Sequence, residues 1–439
     1  MPPKSRKASV PSIPVVDINT REGKNAFKAI MAGREKRSDD VARAVNVILE
    51  DIRSRGDDAL FEYTERFDGV RLTPSDIRVS AEHLKTRAKL APPALKRSIR
   101  EAAKRIREYH SHQGLTGFKI KTADGELSQL IKPLNRAGVY IPGGHTVYPS
   151  SVLMCVIPAQ LAGVREIVAV TPPRGDIDPG VAFALDYLKV AEVYRIGGAQ
   201  AVGALAYGTK SVPYVDKIVG PGNSYVAVAK RLVYGSVDID SVAGPSEVAI
   251  IADRTSPPRL VALDLLAQAE HGSGDEIAVC ITESKMAAAK IAAAVVKEIE
   301  KSPVRDVFTK LPSYAITIFI TSSRKESMAL SDMIAPEHLQ IMTSTADKDL
   351  KSVNNAAAVF VGANTPTALG DYFIGTNHVL PTGGAARFAS PLGVESFQKR
   401  ISVAKASSRG IKTANEYAPL FARSEAFIHH AMSVEERRR

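Results

Sequence analysis

From about residue 135, short apolar runs rich in β-branched residues alternate with longer amphipathic runs of helical length. The first series of runs reads REIVAVTPP, PGVAFALDYLKVAEV, VYRIGGAQAVGALAYG and VDKIVGPGNSYVAVAKRLVYG. The second series reads SEVAIIAD, LVALDLLAQAEHG, DEIAVCIT, KMAAAKIAAAVVKEIEK, YAITIFIT and AAAVFVG. Strands that are apolar along their whole length and alternate with helices are typical of parallel sheets covered on both faces. The pattern therefore predicts an α/β protein with two doubly wound, Rossmann-like lobes.

The two ends of the chain have helical patterns instead. Near the amino end, DDVARAVNVILEDIRSRG and DDALFEYTERFDG each start with Asp and end with Gly, which favour helix starts and helix ends. The residues after about 390 predict helices that are split at Pro419. The predicted parts are an N-terminal arm over 1–30, a first lobe over 31–135 plus 248–390 that includes the helical N-terminal segment, a second lobe over 136–247, and a C-terminal helical tail over 391–439.

The composition narrows the class of protein. Of the 439 residues, 45% are hydrophobic and 24% are charged, as in ordinary globular proteins. No apolar run approaches the roughly 18 residues of a membrane span. The basic N-terminus lacks the apolar core of a secretion signal, so we expect a cytoplasmic protein with no membrane contact. The net charge of +11 falls largely on helical segments with interleaved acidic residues, a pattern typical of solvated helix faces, and predicts no nucleic-acid partner.

Three glycine-rich turns follow predicted strands and start predicted helices. They are YIPGG (140–144), IGGAQAVG (196–203) and VGPGN (219–223). Such turns bring backbone N–H groups and helix N-termini toward a ligand, which suits phosphate or a dinucleotide. Any α/β protein needs some glycine at these turns, but three in one lobe favour a ligand crevice. The GxGxxG fingerprint of dinucleotide-binding folds is absent.

An apolar helix ends in a polar trio, in the stretch DLLAQAEHGSGD. Gln268 and His271 lie one turn apart on one face of this helix. An amide oxygen and an imidazole nitrogen in this arrangement are either half of a metal site or two polar groups with ordinary hydrogen bonds. The two cysteines, Cys155 and Cys280, form no CxxC pair, so a metal here would be held by oxygen and nitrogen.

Two further segments carry candidate chemistry. APEHL places Glu337 beside His338, a carboxylate and an imidazole that suit proton transfer in a cleft, although such a pair is usually an exposed one. GDYFIGTNHVLPTGG contains Asp371 and His378 in a stretch that also reads as a structural loop capped by Asp and Asn. The density of functional groups favours a site, but the spacing assigns no roles.

Taken in order, the motifs resemble those of histidinol dehydrogenases from about residue 30 to the C-terminus. The motifs that carry the resemblance are YIPGG, YPSSVLM, GGAQAVGALAYGT, DKIVGPGN, AGPSE, LLAQAEHG, APEHLQI, GDYFIGTNHVLPTGG and SFQKR. The resemblance implies a zinc enzyme that oxidises L-histidinol twice with NAD, through L-histidinal, to L-histidine, the last steps of histidine biosynthesis. It also implies a homodimer whose C-terminal tail completes the partner's active site.

The resemblance also implies roles for individual residues. The zinc ligands would be Gln268, His271, Asp371 and a tail histidine, and all of them would also contact substrate. His338 would take the hydroxyl proton as hydride leaves, and Glu337 would activate the water that attacks the aldehyde. The other implied substrate contacts are Ser246, Tyr372, His378 and Glu425, and the implied NAD contacts are Tyr140, Gln200 and Asn223.

The chain departs from the family pattern at three places. His145 follows YIPGG where a small residue is expected, so contacts near the cofactor would differ. QAEH is followed by GSGD in place of an acidic residue and proline, which predicts only a loop change. In the tail, EAFIHH replaces the pattern Glu, Gly, Leu, two residues, His. Spacing from Glu425 favours His430 as the metal ligand, although His429 would share a helix face with Glu425.

Two other functions remain open from the sequence. A related zinc and NAD alcohol dehydrogenase acting on a small anionic diol would share the catalytic residues and differ only in substrate contacts. A basic nucleic-acid-binding protein would leave the ordered set of polar motifs without explanation. Turnover of L-histidinol against anionic diols distinguishes the first alternative, and a salt titration of nucleic-acid binding distinguishes the second.

Overall fold

The structure, a computed structural model, describes residues 12–34, 39–143, 147–242, 244–271 and 274–438. The strands in this part of the chain are β1 (Val15–Asp17), β2 (Phe118–Thr122), β3 (Gly125–Pro133), β4 (Arg136–Tyr140), β5 (Glu166–Val170), β6 (Glu192–Tyr194), β7 (Lys217–Val219), β8 (Asp238–Ile239), β9 (Glu247–Ala252), β10 (Ile277–Thr282), β11 (Ile316–Ile320), β12 (His338–Met342), β13 (Ala358–Val361) and β14 (Gln398–Ala406).

The α-helices of the same residues are α1 (Arg21–Arg34), α2 (Asp39–Arg55), α3 (Asp57–Asp68), α4 (Ala81–Lys89), α5 (Pro93–His110), α6 (Pro149–Ala162), α7 (Pro179–Tyr187), α8 (Gly198–Tyr207), α9 (Ser224–Val233), α10 (Pro258–Ala269), α11 (Lys285–Lys301), α12 (Arg305–Phe308), α13 (Arg324–Ile334), α14 (Ala346–Leu350), α15 (Thr367–Tyr372), α16 (Ser408–Ser424) and α17 (Ile428–Glu435). In these residues, no helix combines the length and the apolar composition that crossing a membrane requires.

The first lobe is built on a six-stranded parallel sheet with the order β1-β11-β10-β9-β12-β13. Apolar side chains of α10 and α11 pack on one face of this sheet, and those of α1 and α13 pack on the other. Strands β9 and β10 are buried along their whole length because both faces are covered. The edge strand β1 and most of α1 lie within the predicted N-terminal arm, so the described part of that arm belongs to the first lobe.

The second lobe has a five-stranded parallel sheet with the order β6-β5-β4-β7-β8. The prediction of an α/β protein with parallel sheets and covering helices is therefore confirmed. The assignment of the N-terminal helices to the first lobe is wrong. Helices α2 and α3 pack on α8 and α9, and α4 and α5 pack on α7 and α6, all in the second lobe. Periodicity identifies the apolar stripe of a helix, but not the surface that the stripe covers.

A third sheet was not predicted from the sequence. It is antiparallel, with the order β14-β3-β2, and its outer strand β2 is exposed at every residue. Because β14 lies within 391–439, this region is not a purely helical tail. The predicted break at Pro419 is also wrong: α16 continues through Pro419, and the chain turns between Ser424 and Ile428. A proline removes only one hydrogen bond of the helix, which α16 accommodates.

Candidate active site

One cleft of about 870 Å³ lies between the two lobes. The residues predicted from the sequence that line this cleft are Tyr140, Gln200, Asn223, Ser246, His271, Glu337, His338, Asp371, Tyr372 and His378. Gln268 does not line it directly but is buried behind it, with its Nε2 3.2 Å from Nδ1 of His271. The fold thus brings to one place residues that are separated by more than two hundred positions in the chain.

The wall formed by the second lobe consists of strand ends and helix starts. Tyr140 ends β4, and its hydroxyl oxygen accepts a hydrogen bond of 3.0 Å from the N–H of Gly198, the first residue of α8. Asn223 precedes α9 and caps it by accepting from the N–H of Val226 at 3.1 Å. Gly220 has a φ of +115°, and a Cβ there would lie 2.2 Å from the carbonyl oxygen of Tyr140. Only glycine fits this turn.

The amide of Gln200 is buried in this wall without a partner. The side chain is 1% exposed, and neither Oε1 nor Nε2 has a hydrogen-bond partner in the part of the chain that the structure describes. Burying an unsatisfied amide costs about 1–3 kcal/mol. Since Gln200 also lines the cleft, its amide is available to a polar ligand there.

The wall formed by the first lobe carries the predicted acid–base pair, Glu337 and His338. Glu337 immediately precedes β12, and His338 is the first residue of that strand. Both are buried and both bond to the backbone of Glu247: Oε2 of Glu337 accepts from its N–H at 2.9 Å, and Nδ1 of His338 lies 3.2 Å from its carbonyl oxygen. A carbonyl oxygen only accepts, so the imidazole proton is assigned to Nδ1. Nε2 is then left as the basic atom, 4.0 Å from Oδ1 of Asp371.

Burial shifts the pKa values of this group. Burial raises the pKa of Glu337 well above its usual range; the hydrogen bond from Glu247 opposes this shift, and the carboxylates of Glu247 and Asp371 add to it. Burial lowers the pKa of His338 to about 4 and that of His378 to about 4, and it raises the pKa of Asp371 to about 6. Near neutral pH, His338 is therefore a neutral imidazole, able to accept a proton.

Nitrogen and oxygen donors of the first lobe converge on the same region. His271 and His378 are close enough to His338 to influence its titration, and Nε2 of His378 is buried without a partner among the described residues. Those residues contain no cluster of three His, Cys, Asp or Glu side chains close enough together to hold a metal. Of the predicted ligands, His271 and Asp371 line the cleft and belong to these residue types, whereas the Gln268 amide lies behind it.

The predicted tail residues lie elsewhere. Glu425, His429 and His430 line a separate cavity of about 630 Å³ that is formed by α16 and α17. Several large apolar side chains around this cavity are more than half exposed, namely Tyr417, Leu420, Phe421, Phe427 and Ile428. A single chain thus does not bring Glu425 or His430 to the cleft. The departure at His145 lies outside the described residues.

Sequence reasoning missed several residues around the site. Phe67, Tyr148, Ser151 and Glu276 line the cleft. Ser151 has a detectable signal, because it lies in YPSSVLM at the start of α6, and so has Glu247, which ends the AGPSE motif. Arg34, which forms a buried ion pair with Glu247, has no detectable signal in the sequence. It ends an ordinary amphipathic helix and is distant in sequence from every motif.

Comparisons with known proteins agree with this site. A family model described as histidinol dehydrogenase matches residues 31–438. The histidinol dehydrogenase of Bacillus thuringiensis subsp. konkukian is 44% identical over 401 residues, which cover 90% of this chain and 92% of that protein. The one from Dechloromonas aromatica is 43% identical over 421 residues, which cover 94% and 96%. The crystal structure of histidinol dehydrogenase from Elizabethkingia anophelis matches with a TM-score of 0.89 and 32% identity, over 98% of this chain and 99% of that chain.

The fold, the cleft and these relatives define an α/β oxidoreductase whose site lies between two parallel-sheet lobes. The family match extends over nearly the whole chain, and the most similar relatives are covered almost end to end. The chain belongs to the histidinol dehydrogenase family.

Proposed function

We propose that this protein catalyses the zinc-dependent, NAD-linked oxidation of L-histidinol, through L-histidinal, to L-histidine, the last steps of histidine biosynthesis. The observation that carries the proposal is the cleft, which combines a neutral imidazole and a buried carboxyl group on one wall with glycine turns and an unpartnered amide on the other. Rossmann-like binding of NAD without a GxGxxG sequence is part of this proposal, with Tyr140, Gln200 and Asn223 as the contacts.

The donor atoms in the first lobe suit zinc. The proposed ligands are the Gln268 amide oxygen, the His271 imidazole and the Asp371 carboxylate, with His430 from a second subunit. The 3.2 Å contact between the side chains of Gln268 and His271 keeps the two groups together at the C-terminal end of α10, with His271 two residues beyond the helix. When bound, NAD would accept the hydride of each oxidation and zinc would help to orient the substrate.

The residues of the chain then move the protons. Nε2 of His338 takes the hydroxyl proton of the alcohol as its C–H hydride leaves, which gives the aldehyde. Ionised Glu337 takes a proton from water as the oxygen adds to the aldehyde carbon, and the resulting hydrate anion loses the second hydride to give the carboxylic acid. The carbon is thus oxidised twice, with two hydrides transferred. Ser246, Tyr372, His378 and Glu425 are proposed to bind and orient the substrate.

Turnover and metal content test this function. The purified protein should reduce two NAD per L-histidinol consumed, and removal of the metal should abolish turnover until zinc is restored. Metal analysis of the same samples gives a readout that is independent of activity. Anionic diols serve as the control substrates: turnover of a diol in preference to L-histidinol, or full activity in a preparation shown to be free of metal, contradicts the proposal.

The homodimer is the second part of the proposal. The exposed apolar side chains of α16 and α17 require a covering surface, and Glu425 and His430 lie away from the cleft of their own chain. We therefore assign these two residues to the site of the partner. When His271→Ala and His430→Ala subunits are refolded together, about half of the dimers are mixed and hold one intact site, so about a quarter of the activity should return. No recovery, with subunit exchange verified by mass, would place the tail in its own subunit's site.

A further inference from the structure

A buried ion pair connects the N-terminal helix to the acid–base pair. Arg34 is the last residue of α1, and its Nε lies 2.6 Å from Oε1 of Glu247, with side-chain exposures of 4% and 1%. Neither side chain lines the cleft. We propose that Arg34 and Glu247 form a positioning pair that sets the orientation of Glu337 and His338; this rests on the proposed catalytic roles of those two residues.

The first step of the argument is the double contact of Glu247. Its N–H donates to Oε2 of Glu337 at 2.9 Å, and its carbonyl oxygen lies 3.2 Å from Nδ1 of His338. One peptide segment therefore aims the carboxyl group and also selects the imidazole tautomer. A displacement or rotation of this segment changes both catalytic groups together.

The second step is the double contact of Arg34. Besides the ion pair with Glu247, its Nη1 donates to the carbonyl oxygen of Ile334 at 2.7 Å. Ile334 ends α13 and is followed by Ala335, whose φ of +47° is uncommon for a residue with a Cβ, and then by Pro336 and Glu337. A single guanidinium thus contacts both the start of β9, through the ion pair with Glu247, and the turn that leads into β12, through the hydrogen bond to Ile334.

Because the pair is buried, replacing it with apolar residues can distinguish a positioning role from a stabilising one. Buried ion pairs are often replaceable by apolar residues with no loss of stability. If Arg34 and Glu247 only fill space, the double variant R34M/E247M should fold and should work normally. If they position the catalytic groups, that variant should remain folded and lose turnover.

The variants R34M, R34K and R34M/E247M test the proposal against wild type. We expect kcat with L-histidinol and with L-histidinal to fall about 10- to 100-fold in R34M and in the double variant, with KM values changed less than about threefold. R34K should recover only part of kcat, because an ammonium pairs with Glu247 but does not reproduce the fork that also reaches Ile334. R34K also keeps the test possible if R34M fails to fold.

The matched control is R136M. Arg136 forms a largely buried ion pair, with Nη2 2.6 Å from Oε2 of Glu192, at the amino end of the central strand β4 and away from the cleft. This variant should lose stability without loss of kcat. Wild-type kcat in folded R34M or R34M/E247M, or equal losses of kcat in R34M and R136M, would overturn the proposal.

The imidazole tautomer provides a readout that is independent of turnover. In protein labelled with ¹⁵N-histidine, the His338 signal is assigned by its disappearance in H338Q. Wild type should show an unprotonated Nε2, and R34M should show a mixture of the two tautomers. A wild-type protein that does not oxidise L-histidinol contradicts the proposed function, whereas an unchanged tautomer in R34M contradicts the positioning pair.

Discussion

The two lobes present opposite edges of their parallel sheets to the same cleft. In the second lobe, the cleft lies at the carboxyl ends of the strands, where Tyr140 ends β4 and Asn223 follows β7. In the first lobe it lies at the amino ends, where Ser246 precedes β9 and His338 begins β12. Ligands of open α/β sheets normally bind at the carboxyl ends, so the second lobe follows the general rule and the first does not.

The carboxyl edge of the first sheet is occupied by an ion network instead. Arg324 starts α13 and forms contacts of 2.6 Å to Asp349, 2.7 Å to Glu283 and 3.4 Å to Asp253. Asp253 and Glu283 directly follow β9 and β10, so one guanidinium ties together the strand ends at which a ligand would otherwise bind. The same strands therefore carry an ion network at one edge and face the cleft at the other.

Because the two lobes present opposite sheet edges, they also present opposite ends of their helices to the cleft. The N-termini of α6, α8 and α9 face the cleft from the second lobe, whereas α10 and α15 end there from the first lobe, near His271 and Asp371. The partial charge is positive at helix N-termini and negative at C-termini, with effects of about 0.3–1 kcal/mol each. This difference suits the phosphates of a dinucleotide on one wall and a metal cation with an amine substrate on the other.

The largest expected effect concerns the chemistry assigned to the first lobe. Glu337→Gln should slow oxidation of supplied L-histidinal by about 10²- to 10⁴-fold, because an amide cannot take the proton of the attacking water. The step from L-histidinol to the aldehyde should be slowed much less, since His338 remains. Rapid-mixing assays with each substrate measure the two half reactions. Glu300→Gln, at an exposed position of α11, is the control, and equal losses in both half reactions would mean that the roles are divided wrongly.

The next largest expected effect concerns NAD binding by the second lobe. Gln200→Leu should weaken NAD binding about tenfold with kcat nearly unchanged, because the amide is available to the cofactor. Without cofactor the same variant should be more stable by about 1 kcal/mol, since an unsatisfied buried amide is removed. Calorimetric titration and thermal unfolding measure the two quantities.

Gln160 provides the matched control for Gln200. Its Nε2 donates to the carbonyl oxygen of Leu188 at 2.6 Å, and its Oε1 accepts from Arg107 at 2.9 Å. Gln160→Leu should therefore destabilise the protein and leave NAD affinity unchanged. If Gln200→Leu also destabilises the protein, the amide has a partner in solution and is not reserved for a ligand.

A smaller effect is expected at the closed edge of the first sheet. Arg324→Met should lower the free energy of unfolding by about 1–3 kcal/mol, because three carboxylates lose their common partner in a half-buried position. The values of kcat and KM should stay within about twofold of wild type, which denaturant titration and steady-state assays determine. A large loss of kcat would show that the two edges of this sheet are coupled.

The smallest expected effects concern two residues with a positive φ, one in each lobe. Lys189, after α7 in the second lobe, has a φ of 59°, and Ala335, beside Glu337 in the first lobe, has a φ of 47°. Lys189→Gly should stabilise the protein by about 1 kcal/mol with no change in activity, because glycine adopts this conformation without strain. Ala335→Gly should stabilise it less, since a buried methyl group is lost, and should lower kcat by allowing the Glu337 turn to move. Equal effects of the two variants on kcat would contradict a special role for the turn before Glu337.

Local patterns in the sequence determined the parallel sheets and the candidate side chains. Runs such as SEVAIIAD and DEIAVCIT are apolar throughout because both faces of β9 and β10 are covered, and this covering is visible without knowing what covers them. Glycines such as Gly220 mark turns that only glycine can form. The roles of Gln268 and His338, in contrast, came only from the resemblance to a family, because spacing does not assign chemistry.

Tertiary structure alone decided which edge of each sheet faces the cleft, and which surface the N-terminal helices cover. Helices α2 to α5 pack on the second lobe because matching apolar surfaces lie there, and β14 pairs with β3 across more than two hundred residues. Arg34 has no sequence signal at all, yet it reaches Glu247 and Ile334, behind Glu337 and His338. The reason is physical: hydrophobic burial and hydrogen bonding depend on distance in space, and the pattern along the chain records only that a surface must be buried, not its partner.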